Sequence, residues 1–283
     1  MRLDIIKDRL SAYHCQTPLE ESHALKEISQ EIILMALARH DFFNCCEFHG
    51  GTALRILYGL QHFSEDLDFA LLIPDIQFSL TPYLDSISDE LSTFGYAFEI
   101  KDRSKADSIV KKAFLKDDSV GKLLEIKQKG ASNKIIIKLE IDSNPPLGAD
   151  TEFKYLDFPY PFGIRAKNLP SSFSGKLHAL LCRRYIKGRD WYDFIWYVSK
   201  RIAPNVLLLK NALKQNGPWE GQNIIVDTQW IIGALRNKVE SINWKQAKQD
   251  ISTFIKSNEQ AALDVWGDAF FLAQVDKLEK ALG

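Results

Sequence analysis

Two aspartates separated by one apolar residue are the side chains of this sequence best placed to do chemistry. They are Asp66 and Asp68, in the stretch SEDLDFALLI, where they alternate with Leu67 and Phe69. Alternate residues of a β-strand share a face, so both carboxylates are predicted on one face and both apolar side chains in the core. Two charges about 4 Å apart repel by about 4 kcal/mol at an effective dielectric near 20, and a divalent cation removes that penalty. Hard oxygen ligands favour Mg²⁺ or Mn²⁺, although a solvated strand edge or helix cap also explains an isolated D-x-D.

A glycine pair precedes the aspartates at Gly50 and Gly51 and is followed by Thr52. Glycine lets the backbone turn tightly and approach a ligand, and Thr52 begins a helical pattern whose first N–H groups can bind phosphate oxygens. A phosphate-binding turn followed by a metal-binding pair indicates a nucleoside triphosphate as substrate. An ordinary strand-to-helix turn is the alternative interpretation.

A third carboxylate is expected from a neighbouring strand, and IIIKLEID (residues 135–142) provides it. Alternation places Lys138, Glu140 and Asp142 on one face of that strand. Glu140 is predicted to act as a general base toward an attacking hydroxyl or as a further metal ligand. The choice between Glu140 and Asp142 stays open at this point, as does an exposed strand face with ordinary charge alternation.

The elements around these residues predict an α+β fold class. A helix is expected at residues 21–41, a strand at FNCCEF and a short helix at residues 52–60. Strands at residues 96–103, 108–116, 121–128 and 134–142 are too close in sequence for crossover helices, which favours antiparallel pairing. The prolines and aromatic residues of FPYPFG (158–163) indicate a connector. Helical patterns follow Leu169 almost to the end of the chain. The first is at residues 171–186, and the last, at residues 259–281, is expected to be interrupted near Gly267. We therefore expect an α+β domain at residues 1–165 with a mixed or antiparallel sheet and flanking helices, then an α-helical bundle domain at 166–283.

Composition limits the partners. With 46% hydrophobic residues and a formal net charge of −1, the chain is an ordinary globular protein and not a globally basic nucleic-acid binder, so no DNA partner is expected. The four cysteines lack zinc-ligand spacing, and neither a signal peptide nor a membrane segment is evident, which predicts a cytoplasmic protein with no membrane partner. Residues 101–138 nevertheless carry eleven Lys or Arg against five Asp or Glu. A positive rim from Lys111, Lys112, Lys116, Lys122, Lys127 and Lys134 would suit an RNA backbone, while lysines that protect a sheet edge are the alternative.

Four ordered blocks carry a family resemblance: GGTALR, FSEDLDF, IKLEI and GKLHALLCRRYIKGRDWYDFIWY. Together they resemble the nucleotidyltransferase toxins of the AbiEii/AbiGii abortive-infection type, within the polymerase-beta-like nucleotidyltransferase superfamily. The blocks lie between Phe48 and Tyr197, which is roughly half of the chain. The resemblance implies a cleft between the two domains, NTP as substrate, Mg²⁺ or Mn²⁺ as cofactor, an RNA acceptor such as tRNA, and a cognate antitoxin as a candidate partner.

The resemblance also implies roles for individual residues. Asp66 and Asp68 would bind the metal, Glu140 would be the third acid, and Lys176 would neutralise phosphate charge. The residues expected to contact the nucleotide are Gly50, Gly51, Thr52, Arg55, Ser64, Asp190 and Asp193. Thirteen residues separate Thr52 from Asp66, a wider gap than is usual in the superfamily, and His49 departs from the expected residue type.

Asp190 and Asp193, from RDWYD, share a helix face as i and i+3 and also lie within reach of Arg183 and Arg189. A structural network of ion pairs is therefore an alternative to nucleotide binding at these positions. For the whole chain, the first hypothesis is a metal-dependent transfer of a nucleoside monophosphate to RNA by a toxin of a type IV-like toxin–antitoxin or phage-defence system. The alternatives are transfer to a small-molecule or protein hydroxyl, and a nucleotide-binding module without turnover.

Overall fold

Residues 2–104, 108–117, 119 and 135–282 are described by a computed structural model, in which the chain divides into two units. The first unit is formed by described residues of Met1–Gly59, Phe63–Pro145 and Phe153–Ala166. The second is formed by Leu60–His62, Pro146–Glu152 and described residues of Lys167–Gly283. The strand predicted at residues 121–128 lies outside the described residues.

In the described part of the chain, seven strands form one mixed sheet. The strands are β1 Cys46–His49, β2 Asp66–Leu71, β3 Glu99–Asp102, β4 Val110–Asp117, β5 Ile135–Asp142, β6 Thr151–Leu156 and β7 Phe162–Lys167. Their order across the sheet is β3-β4-β5-β2-β1-β7-β6. Strand β2 runs parallel to β5, and β1 runs parallel to β7. The predicted antiparallel succession is confirmed for β3, β4 and β5.

Four helices accompany the sheet in the first unit: α1 Arg2–Ser11, α2 Pro18–Arg39, α3 Gly50–Tyr58 and α4 Thr81–Ser92. Thr17 caps α2 by accepting a hydrogen bond from the Glu20 amide, and Pro18 occupies the first turn, where a missing N–H costs nothing. Helix α2 contacts both α4 and β5 and is buried around most of its circumference. The core that it covers includes Leu67, Phe69 and other apolar residues of the sheet.

The described part of the second unit is mainly helical, and it also includes the first two residues of β6 and the last residue of β7. Its helices are α5 Leu169–Cys182, α6 Gly188–Ser199, α7 Val206–Gln215, α8 Thr228–Glu240, α9 Trp244–Ser252 and α10 Asp268–Leu282. Helix α5 ends before the predicted residue 186, because Arg183 adopts an extended conformation with ψ of 130°. The expected interruption near Gly267 is confirmed: a 3-10 segment, Ser257–Leu263, precedes α10. Rings of Trp244 and Phe271 stack at 4.1 Å in this unit. Across the described ranges, no helix combines the length and the apolar character needed to cross a membrane.

Candidate active site

Asp66 and Asp68 lie on one face of β2, with Leu67 and Phe69 buried on the other. The parallel register of β2 and β5 pairs Asp68 with Glu140. Because paired residues share a face and neighbouring strands are about 4.8 Å apart, the three carboxylates occupy adjacent positions on one surface of the sheet. The alternation that the sequence predicted for β2 and β5 is therefore present in the fold.

Two lysines neutralise Glu140. Lys112 Nζ on β4 lies 2.8 Å from Glu140 Oε1, and Lys138 Nζ lies 2.7 Å from Oε2. Partial burial would raise the pKa of Glu140, but the two lysines outweigh it and hold that pKa below its ordinary value. A carboxylate whose pKa is lowered is a weak general base. The geometry thus favours a role in charge balance for Glu140 over proton abstraction.

Lys138 also provides positive charge to the aspartate pair. It is in register with Asp66, one strand away. Burial would lower the pKa of Lys138, but Glu140, Asp66 and Asp68 together raise it. Lys138 thus adds positive charge beside the aspartate pair.

The carboxylates of β2 and β5 differ in how well they suit a divalent cation. In the described ranges of the chain, no three His, Cys, Asp or Glu side chains are grouped so as to hold a metal ion. Asp66 and Asp68 are nevertheless hard oxygen donors on one face of one strand, which is the chemistry that Mg²⁺ and Mn²⁺ select. Glu140 would have to release a lysine before it could act as a ligand. The aspartate pair fits the ion, and Glu140 fits it only after exchanging partners.

The turn between β1 and α3 lies against Asp68. Gly50 has a φ of +83°, and a Cβ added to it would stand 3.1 Å from the Cβ and the Cγ of Asp68 and overlap the carboxylate. A glycine is required here by both the backbone conformation and the close approach. Helix α3 starts at Gly50, and the first N–H groups of a helix, here those of Gly50, Gly51 and Thr52, have no acceptor within it. This turn therefore presents the kind of helix terminus that binds phosphate.

Two buried side chains hold the start of β2. The hydroxyl of Thr52 donates to the carbonyl oxygen of Asp66. The amide Nε2 of Gln30 on α2 donates to the carbonyl oxygens of Ser64, at 3.2 Å, and Glu65, at 3.0 Å. Thr52 thus uses its hydroxyl to fix the aspartate strand, which leaves its backbone N–H for a phosphate. Gln30 was not singled out from the sequence, because its partners lie more than thirty residues away.

Arg55 occupies a different environment from that expected of a nucleotide-binding residue. Its guanidinium forms an ion pair with Glu27 of α2 and lies 4.0 Å from the centroid of the Phe63 ring. Nucleotide binding by Arg55 stays a prediction, and it would require the guanidinium to leave Glu27.

The predicted positive rim is only partly present. Lys111 is 4% exposed, which contradicts its predicted place in the rim, and its alternation with Lys112 places it on the core face of β4. Lys112 is paired with Glu140, and Lys116 is half-buried. The rim residues Lys122, Lys127 and Lys134 fall outside the described ranges.

Lys176, Asp190 and Asp193 come together in the second unit. Lys176 Nζ on α5 lies 2.9 Å from Asp190 Oδ1 and 2.6 Å from Asp193 Oδ2, both on α6. Arg183 pairs with the other oxygen of Asp190. Arg189 instead lies with its guanidinium 3.8 Å from the centroid of the Phe254 ring. The ion-pair network considered as an alternative is thus present for Arg183.

Burial and neighbouring charges shift the pKa values of this cluster in opposite directions. Burial would lower the pKa of Lys176, but Asp190 and Asp193 raise it well above its ordinary value. Burial would raise the pKa of Asp193, yet Lys176 and His62 bring it down to about 2. Lys176 is therefore a permanent ammonium at neutral pH and not a proton donor. His62 was not predicted from the sequence, because its position directly before FSEDLDF is the one local feature that distinguishes it.

The carboxylates of β2 lie beside a glycine turn on a mixed sheet with helices, which is the arrangement that the nucleotidyltransferase resemblance implies. The model of one protein family, described as the nucleotidyl transferase AbiEii toxin of type IV toxin–antitoxin systems, matches residues 32–271. The chain belongs to this family, and it is accordingly a nucleotidyltransferase toxin of the type IV toxin–antitoxin class.

Solved structures agree on the fold. MenT4, a nucleotidyltransferase toxin from Mycobacterium tuberculosis H37Rv, is similar with a TM-score of 0.56 and 15% identity over 100% of this chain and 93% of its own. A candidate nucleotidyltransferase from H. pylori is similar with a TM-score of 0.51 and 17% identity over 89% of this chain and 94% of its own. No curated protein sequence matches the chain.

Proposed function

We propose that the protein transfers a nucleoside monophosphate from an NTP to an RNA acceptor such as tRNA, with release of pyrophosphate. The observation that carries this proposal is the position of Gly50, whose lack of a side chain lets the start of α3 lie against the Asp68 carboxylate. A polyphosphate held at that helix terminus would have its reacting phosphorus beside Asp66 and Asp68. Membership of the toxin family makes this transfer the activity to test first.

The roles follow from the contacts of each residue. Asp66 and Asp68 would hold Mg²⁺ or Mn²⁺, which supplies charge neutralisation on the transferred phosphate when bound. The N–H groups of Gly51 and Thr52 would bind the triphosphate, while Thr52 Oγ keeps β2 in place. Glu140 would hold Lys112 and Lys138 beside the aspartates. Lys176 would contribute a fixed positive charge that neutralises phosphate oxygens.

An RNA acceptor is supported by aromatic side chains on the sheet. Phe153 and Tyr155 of β6 are 63% and 86% exposed, and the Arg165 guanidinium of β7 lies 4.5 Å from the Phe153 ring centroid. Phe48 of β1 pairs with Phe69 of β2 and with Ala166 of β7, so these three side chains share one face of the sheet. Asp68 and Arg165, each one residue away, therefore lie together on the opposite face. Exposed rings with an adjacent guanidinium are what unpaired bases stack on. The family resemblance supports the same acceptor.

The test incubates purified protein with each of four α-labelled triphosphates, Mg²⁺ and total RNA. We expect label in RNA with the wild type and none with Asp66→Asn, while Asp85→Asn, a control at an exposed residue of α4, retains transfer. A Phe153→Ala/Tyr155→Ala variant is expected to raise KM for RNA, because stacking contributes about 1–3 kcal/mol per base.

Other outcomes would replace the proposal. Label only in a small molecule or a protein would contradict the RNA acceptor and keep the chemistry. Nucleotide binding without transfer to any acceptor would contradict turnover. Unchanged transfer by Asp66→Asn would contradict the assignment of the aspartates.

A further inference from the structure

His62 is a buried histidine that lies four residues before Asp66 in the sequence. Its side chain is 1% exposed, and its Nε2 lies 2.7 Å from Oδ1 of Asp193. The Tyr192 ring meets its ring edge-on at 5.3 Å. A residue of the segment Leu60–His62 is thus fixed to helix α6 within the second unit.

The direction of this hydrogen bond follows from the charge of Asp193. With a pKa of about 2, lowered by Lys176 and His62 against the effect of burial, Asp193 is ionised at neutral pH. An ionised carboxylate can only accept hydrogen bonds. His62 Nε2 therefore carries a hydrogen and donates it to Oδ1, while Oδ2 faces Lys176 Nζ at 2.6 Å.

This arrangement restrains a side chain that is otherwise flexible. Ordering a lysine side chain costs up to about 2 kcal/mol of rotamer entropy. The ammonium donates a hydrogen bond to Asp190 Oδ1 at 2.9 Å and forms an ion pair with Asp193 Oδ2 at 2.6 Å. The rigid imidazole of His62 fixes the Asp193 carboxylate, and with it one of the two negative charges between which the ammonium is held.

We propose that His62 is a positioning residue for Lys176, acting through Asp193 to hold the ammonium in the position from which it meets a phosphate oxygen. The role of Lys176 toward phosphate rests on the proposed function, whereas the restraint of Lys176 by His62 does not. A histidine that only fills space would tolerate an apolar side chain of similar size. A positioning histidine needs its hydrogen-bond donor.

Two variants separate these roles. His62→Leu removes the donor and keeps an apolar side chain of comparable bulk. His62→Gln keeps an N–H donor at a similar reach. The matched control is His178→Leu on α5, two residues from Lys176, because His178 Nε2 bonds the carbonyl oxygen of Asn216 at 3.1 Å and not a carboxylate of the cluster.

Two readouts are used, and only one of them needs activity. The first is the rate at which acetic anhydride acetylates Lys176, followed by peptide mass spectrometry on the folded protein. The second is kcat/KM for transfer of labelled nucleotide. Losing a hydrogen bond to a charged group costs a factor of about 10 to 100. We expect His62→Leu to acetylate faster and to lose about 10- to 100-fold in kcat/KM, and His62→Gln to recover most of both.

Wild-type rates for His62→Leu in both readouts would overturn the proposal. So would lost transfer with unchanged acetylation and no recovery in His62→Gln, which would indicate a structural role only. A matching change in His178→Leu would also overturn it. If His62→Leu does not fold, His62→Asn, whose amide is one carbon shorter than that of His62→Gln, replaces it. A wild type without transfer would contradict the proposed function, while acetylation would still decide the role of His62.

Discussion

Replacing Gly50 by alanine tests the contact between the helix terminus and the aspartates. The backbone of residue 50 has a φ of +83°, which is unfavourable for a residue with a Cβ, and the added Cβ would overlap the Asp68 carboxylate. A positive φ costs a residue with a Cβ about 1–2 kcal/mol. Gly59→Ala is a matched control, because Gly59 also has a positive φ, +72°, but an added Cβ there has no atom within 4 Å. The comparison separates backbone strain from displacement of Asp68.

We expect both variants to lose about 1–2 kcal/mol of unfolding free energy in urea titrations, with a further loss for Gly50→Ala from the overlap. Displacing a group by about 1 Å can reduce a rate by a factor of about 100. Transfer of labelled nucleotide should therefore fall about 100-fold in Gly50→Ala and stay near the wild-type rate in Gly59→Ala. Equal transfer rates in the two alanine variants would refute the reasoning.

Further predictions concern the buried polar contacts. Thr52→Val leaves the Asp66 carbonyl without its hydroxyl donor and is expected to cost about 1–3 kcal/mol in urea unfolding, whereas Thr52→Ser should lose less; equal losses would contradict the role of the hydroxyl. The pKa of Asp193 is lowered from 3.8 to about 2, so its ionised form stabilises the fold above pH 4 and this contribution disappears as the pH falls through 2. The stability difference between wild type and Asp193→Asn, on the order of 2 kcal/mol at pH 6, should shrink steadily toward pH 2, and a constant difference would contradict the assignment.

Local patterns in the sequence predicted the residues that depend on strand alternation. Asp66 and Asp68 on one face, with Leu67 and Phe69 in the core, require only the two-residue period of a strand. The glycine turn was predictable for a similar reason, because a strand, two glycines and a helical pattern are consecutive in the chain. The family resemblance added the order of these parts.

Long-range contacts were not predictable in this way. Gln30 and His62 act on partners that are distant in sequence, and neither has a local pattern that marks it. The pairing of Glu140 with Lys112 depends on the register between β4 and β5, which a sequence does not display. Strands β6 and β7 were missed because the prolines of FPYPFG (158–163) indicated a connector, whereas β6 ends just before this segment and β7 begins within it, at Phe162.

Binding of Mn²⁺ is the most direct test of the central claim that Asp66 and Asp68 hold the ion for nucleotide transfer. Free Mn²⁺ can be measured by electron paramagnetic resonance in the presence of a non-hydrolysable triphosphate. We expect the wild type and Asp85→Asn to bind Mn²⁺ with equal affinity, and Asp66→Asn and Asp68→Asn to bind it at least about tenfold more weakly. Loss of a residue that only hydrogen-bonds to a metal ligand already lowers metal affinity by about tenfold, so loss of a ligand should lower it by at least as much. Equal affinity in all four proteins would contradict the account.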